Sequence, residues 1–161
     1  MGVAPGGHPN SPCGLGLLMV GGCGASQSNE PVPNTFAAAT TVRPEESRMW
    51  MTIGEHRFAV TLANTQAARA FAALLPLEVD MADLNGNEKH ADLPTSLPTS
   101  ASRPGSIRNG DLMLYGSDTL VVFYLTFSSS YAYTRLGRVD DPSGLPHAVG
   151  SGKARVKFSA H

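Results

Sequence analysis

The chain has 161 residues, enough for one domain, and a formal net charge of −1. From residue 49 onward ten Lys and Arg stand against ten Asp and Glu, so this part lacks the basic footprint that binding to nucleic acid requires, and no nucleic-acid partner is expected. No apolar run approaches the roughly 20 residues of a membrane-spanning helix.

The first 48 residues are rich in Gly, Pro, Ser, Ala and Asn, a composition that buries little apolar surface. Within them "GLGLLMVGGCGAS" (14–26) passes from a short apolar stretch to small residues and Cys23. This is similar to a bacterial lipoprotein signal, with Val20-Gly21-Gly22-Cys23 in the place of the lipobox. On that reading residues 1–22 are a signal peptide, Cys23 is the lipidation site and residues 23–47 tether the domain to a membrane of the cell envelope. Residues 1–13 depart from the pattern, because a secretory signal opens on positive charge and they hold no Lys or Arg. Cleavage before Cys23 removes Cys13 and leaves no spare thiol. The alternatives are a disordered tail on a cytoplasmic protein, or a Cys13–Cys23 disulfide.

The ordered domain is expected over residues 48–161. "MWMTIG" (49–54) reads as a strand and residues 54–57 as a turn. "FAVTL" places Phe58, Val60 and Leu62 on one face, the period of a half-buried strand. Asn64 is expected to cap a helix over about residues 65–75, with Ala68, Phe71, Ala72 and Leu75 on one face and Pro76 as the stop. "LEVDM" (77–81) alternates again, and Asn85-Gly86 signals a turn. Residues 88–106 carry three X-Pro bonds and many serines, and are expected to form a surface loop.

The strongest β signal follows. "DLMLYG" reads as a strand, and "TLVVFYLTF" as a nearly continuous apolar strand covered on both faces. Ser128-Ser129-Ser130 is read as a turn. "YAYTRLG" is the next strand, with Tyr131, Tyr133 and Arg135 on one face. "DDPSGLPHAVGSG" allows one helical turn, and "KARVKF" closes with Ala154, Val156 and Phe158 inward. Seven or eight strands and one main helix point to a mainly β fold, most simply a closed barrel, which leaves no open edge.

"TLANTQAARAFAALLPLEVDM", "LNGNEKHADLP", "IRNGDLMLYGSDTLVVFY" and "SYAYTRLGRV" together resemble the small bacterial and archaeal cyclophilin-like fold proteins. The resemblance spans residues 49–159 and implies a closed cyclophilin-like β-barrel of about eight strands. The true cyclophilins are further away. Their Phe-His-Arg motif is absent, since His56-Arg57-Phe58 holds those letters in another order and place. Their Gln-Phe-Phe stretch is also missing, and Trp50 lies in the first strand rather than at the position of their pocket tryptophan. No cyclophilin catalytic residue is carried over.

All four tyrosines lie between Tyr115 and Tyr133, as do six of the eleven aromatics. Tyr124, Tyr131, Tyr133 and Arg135, with Glu88, form the candidate site for a peptide or small-molecule ligand. Prolyl isomerisation is the alternative activity. It needs no covalent step, and a cation at the prolyl nitrogen can favour the twisted transition state. Arg135 is the candidate for that role, and Arg108 stands second. The structural reading of Arg135 is a pair with a carboxylate or a stack on a tyrosine. In "NEKHAD", Glu88, His90 and Asp92 share one face if extended, but one face of a polar segment commonly looks so, and no metal is assigned. No Gly-x-Ser-x-Gly or phosphate loop is present, and no cofactor is expected.

Overall fold

The computed structural model describes residues 47–161 and Gly14. The signal, tether and lipidation readings of residues 1–46, Cys23 included, lie outside the described segment.

The order of elements is β1 (Arg48–Ile53), β2 (His56–Leu62), α1 (Gln66–Ala72), β3 (Leu77–Leu84), β4 (Glu88–Asp92), β5 (Gly105–Ile107), β6 (Asp111–Tyr115), β7 (Thr119–Phe123), β8 (Phe127–Ser129), β9 (Thr134–Val139), α2 (Leu145–Val149) and β10 (Ala154–Ala160). Eight strands close an antiparallel barrel in the order β1-β10-β3-β4-β7-β6-β9-β2. β5 and β8 form a separate two-stranded ribbon. The mainly β fold and the eight-stranded barrel are as expected from the sequence.

Period-2 alternation sorts the side chains. Met49, Met51, Val60, Leu112, Leu114, Leu120, Val122, Val156 and Phe158 belong to the main buried core. Phe71 of α1 joins that core, with its ring edge-on to Phe158 at 5.5 Å. A second cluster holds the odd-numbered partners on the outer face. It comprises Met113 of β6, Val121 and Phe123 of β7, Ile107 of the ribbon and Tyr133, with Phe127 packed against them. β7 is therefore covered on both faces, as its unbroken apolar run predicted.

Five local readings need correction. The strand expected from Thr119 to Phe127 ends at Phe123, and the strand expected from Tyr131 begins only at Thr134, with Tyr131 in a bend and Tyr133 in a single bridge to Ser102. Residues 88–92 open no loop: they are β4, paired with β3 and β7. Serines 128 and 129 lie in β8, not in a turn, because their backbone pairs with Ser106 and Gly105 of β5. The helix is shorter than expected and is capped by Thr65, whose Oγ1 accepts from Ala68 N at 3.1 Å. Asn64 instead accepts from Arg69 at 3.1 Å. The Asn85-Gly86 turn is as read, with both residues at positive φ (56° and 66°), the geometry that a tight hairpin demands.

The β6–β9 pairing slips between Leu112 and Met113: Leu112 faces Gly137, whereas Met113 faces Arg135. Leu136 is the extra residue of this bulge. Strict alternation would put Arg135 and Arg138, three apart, on opposite faces. The bulge brings both to the outer face, where they line one groove.

Candidate functional site: two grooves on the outer face of the barrel

Two grooves flank the β5–β8 ribbon, and Tyr133 lines both. The larger, about 660 Å³, lies over β4 and β7. Its floor is the outward row of β4, Glu88, His90 and Asp92, opposite Phe123, Val121 and Thr119 of β7. Its wall is aromatic. Tyr115 stands at 87° to Tyr131 with centroids 6.3 Å apart, and lies 5.8 Å from Tyr133. Tyr133 is in turn edge-on to Phe123 at 5.4 Å. Tyr131 is 62% exposed, whereas Tyr133 is buried, and burial pushes its hydroxyl pKa up.

Glu88 sits at the base of this groove and is only 7% exposed. Among the described residues no side chain or backbone group hydrogen-bonds or ion-pairs with its carboxylate. Burial, and secondarily the charge of Asp83, raises its pKa. Its neighbour Asn87 also lines the groove and holds a buried side-chain oxygen without a donor. Asp92 is partnered, accepting from Thr119 Oγ1 at 3.3 Å. Glu88, His90 and Asp92 share one face, as the extended reading required. Even so, no group of three His, Cys, Asp or Glu among the described residues converges closely enough to hold a metal ion.

The smaller groove, about 420 Å³, is lined by Arg108, Arg135 and Arg138 around Asp111, with Tyr133 and Met113 beside them. Arg135 is half exposed and its guanidinium lies 3.4 Å from the Asp111 carboxylate, which is 1% exposed. Asp111 also accepts from Arg108 N at 2.9 Å. The pairing of Arg135 with a carboxylate is thus realised. The two grooves are opposite in character, one with carboxylates at its floor and the other with three guanidinium groups.

Tyr131, Tyr133, Arg135 and Glu88 therefore gather on one surface, and Tyr124 does not. As the next residue after outward-facing Phe123, Tyr124 turns into the barrel. There its hydroxyl donates to Asp83 Oδ2 at 2.6 Å. Lys89, fully buried, reaches the same oxygen at 2.8 Å and donates to the carbonyls of Gly150 and Gly152 at 3.0 and 2.6 Å. Tyr124 belongs to this internal knot rather than to the groove. Sequence reading missed Tyr115 and Phe127 as groove residues. Tyr115 was discoverable, because it ends a strand whose alternation puts Met113 and Tyr115 together on the outer face. Phe127 was hidden by the short ribbon strand that carries it.

The family model described as the cyclophilin-like family matches residues 51–159. The barrel is also similar to the solution structure of a hypothetical protein from Archaeoglobus fulgidus, with 19% identity and a TM-score of 0.54 over 74% of this chain and 98% of that one. At that identity the likeness concerns the fold alone. No curated protein matches the chain. With the family match spanning most of the chain and the closed barrel in place, the protein belongs to the cyclophilin-like family.

Proposed function

We propose that the protein is a binding module whose ligand, a peptide or small molecule, seats in the aromatic groove beside the β5–β8 ribbon. The observation that carries this reading is the corner formed by Tyr115, Tyr131 and Tyr133 over the buried Glu88. Large aromatic surface left open beside a few polar groups is the usual make-up of a ligand pocket. Tyr131 contributes mostly exposed surface, so its removal leaves the core intact. A panel of short peptides titrated against the full chain tests the reading. Binding is expected to saturate and to weaken about tenfold in Tyr131→Ala. Binding that is indifferent to Tyr131 counts against the groove.

A second reading, prolyl isomerase activity, is favoured by Arg135, a half-exposed guanidinium beside Tyr133 and Met113. Its pairing with Asp111 leaves it less free to hydrogen-bond a prolyl nitrogen. Acceleration of proline-peptide isomerisation that falls in Arg135→Ala supports this reading, and rates equal to the uncatalysed control exclude it.

Export and lipid anchoring through Cys23 are part of the same proposal and rest on the lipobox-like Val20-Gly21-Gly22-Cys23. The protein expressed with its own leader is expected in the detergent phase. A Cys23→Ser protein that partitions identically removes lipidation.

A further inference from the structure

Resting on the groove-binding reading, we infer that the aromatic groove recognises an alkylammonium group, the cation of a lysine side chain or of a free diamine. Three features of the groove converge on this chemistry.

The first is a carboxylate with no counterpart. Glu88 is nine-tenths buried, faces the groove from β4 and has no hydrogen-bond or ion-pair partner among the described residues. Its oxygens still meet solvent in the groove, and a carboxylate so largely desolvated is held at a cost that a paired cation relieves. The nearest basic residue in sequence, Lys89, is on the opposite face of β4 and is committed to Asp83 inside the barrel. The protein thus supplies no cation for Glu88, and an arriving ammonium would be its partner.

The second feature is the aromatic wall. Tyr115 and Tyr131 meet at 87°, with Tyr133 closing the cluster. Tyr115 and Tyr131 are 48% and 62% exposed beside the groove, so much of their π surface is open to a bound cation, which the ring quadrupole attracts. The third is the segregation of charge. The arginines of this outer face line the neighbouring groove around Asp111, and no Lys or Arg lines the aromatic one. A cation approaching the latter meets Glu88 and Asp92, with His90 as the sole basic side chain on the floor. An anion is drawn instead to the arginine side. The raised pKa of Glu88 fits the same picture, because a bound cation restores the favoured ionised form.

The test measures affinity of the full chain for three probes: N-acetyl-lysine N-methylamide, its norleucine counterpart, and 1,5-diaminopentane. The expected result is binding of the lysine probe about tenfold tighter than the norleucine probe, with that preference lost in the near-isosteric Glu88→Gln. Thermal unfolding of the variant verifies that it folds. Tighter binding of the lysine probe than of the diamine identifies a peptide side chain as the source of the cation. The reverse identifies a free amine, and both orders support the inference. Equal affinity for lysine and norleucine, unchanged by Glu88→Gln, overturns cation recognition while leaving ligand binding in the groove intact. No binding by any probe overturns the inference, and the peptide panel with Tyr131→Ala then decides separately whether the groove binds anything.

Discussion

Glu88 and Lys89 are consecutive residues of β4 that serve opposite surfaces of the same sheet. Glu88 faces the aromatic groove without a partner, and Lys89 is fully buried in the barrel with its Nζ 2.8 Å from Asp83. One step along a strand separates a structural charge from an available one. The alternation explains how an acidic groove floor can abut a stable core.

Lys89 binds three oxygens from two segments, Asp83 on β3 and the carbonyls of Gly150 and Gly152 before β10. It thereby ties the loop after α2 to the barrel. Lys89→Met keeps the volume but leaves the two carbonyls without this donor and Asp83 without its cation. Chemical denaturation is expected to show a loss of about 3 kcal/mol or more. A loss below about 1 kcal/mol would mean that solvent takes over the role of Lys89.

Asp83 gives this knot a signature in pH. The hydrogen bond from Lys89, and then that from Tyr124, holds its carboxyl down at about 2, against an ordinary 3.8. A depressed folded-state pKa contributes stability that is complete above the unfolded value. That contribution is lost as pH falls from about 3.8 through about 2. Asp83→Asn is expected to flatten the stability profile in that window and nowhere above pH 5. On the basic side, burial and the bond to Asp83 push Tyr124 up to about 12. Its contribution therefore persists beyond pH 10 and fades as pH approaches 12.

Glu88 has the opposite sign. Its raised pKa favours the protonated form in the folded state, so its contribution is most favourable below the ordinary value of 4.5 and is lost as pH rises through the folded value. Glu88→Gln should therefore unfold at a higher temperature than the parent at pH 7, and the gap should close below pH 4. Together with lost cation binding, this would show that the charge is kept for function at a cost in stability. A variant less stable than the parent at pH 7 would indicate that the carboxylate has a structural partner.

Gly137 sits at the bulge that aligns Arg135 with Arg138. A Cβ there would meet the Thr61 carbonyl oxygen at 2.6 Å and Leu62 Cα at 3.2 Å, both backbone atoms of β2. Gly137→Ala is expected to pry β9 from β2, with about 1–3 kcal/mol of destabilisation by thermal or urea unfolding. An unchanged midpoint would mean that the β2–β9 seam yields without cost.

Strong period-2 patterns made most of the barrel legible in the sequence. "FAVTL", "LEVDM" and "KARVKF" became β2, β3 and β10 with the expected faces inward. The weak points were segments whose strand character comes from pairing rather than composition. Glu88–Asp92 looks like polar loop, yet it is held between β3 and β7. The three-residue strands β5 and β8, rich in Gly and Ser, carry no periodic signal at all. The site was half visible for the same reason. Tyr133 and Arg135 both lie on the outer face, but β9 begins only at Thr134, so Tyr131 reaches that face from the bend before the strand and not by the alternation expected. Tyr124 was assigned by proximity to the other tyrosines, and its parity, one step past Phe123, places it inside. The convergence of Arg135 and Arg138 depends on a bulge, which a strand register reveals and a sequence does not.

The most direct test of the outer-face groove is an amide-resolved NMR titration of the full chain with N-acetyl-lysine N-methylamide. Saturable shifts confined to Glu88–Asp92, Tyr115 and Ser128–Tyr133 are predicted, because these segments form the floor and wall of the groove. Still amides there, or shifts centred on α1 or on the arginine groove around Asp111, would contradict it.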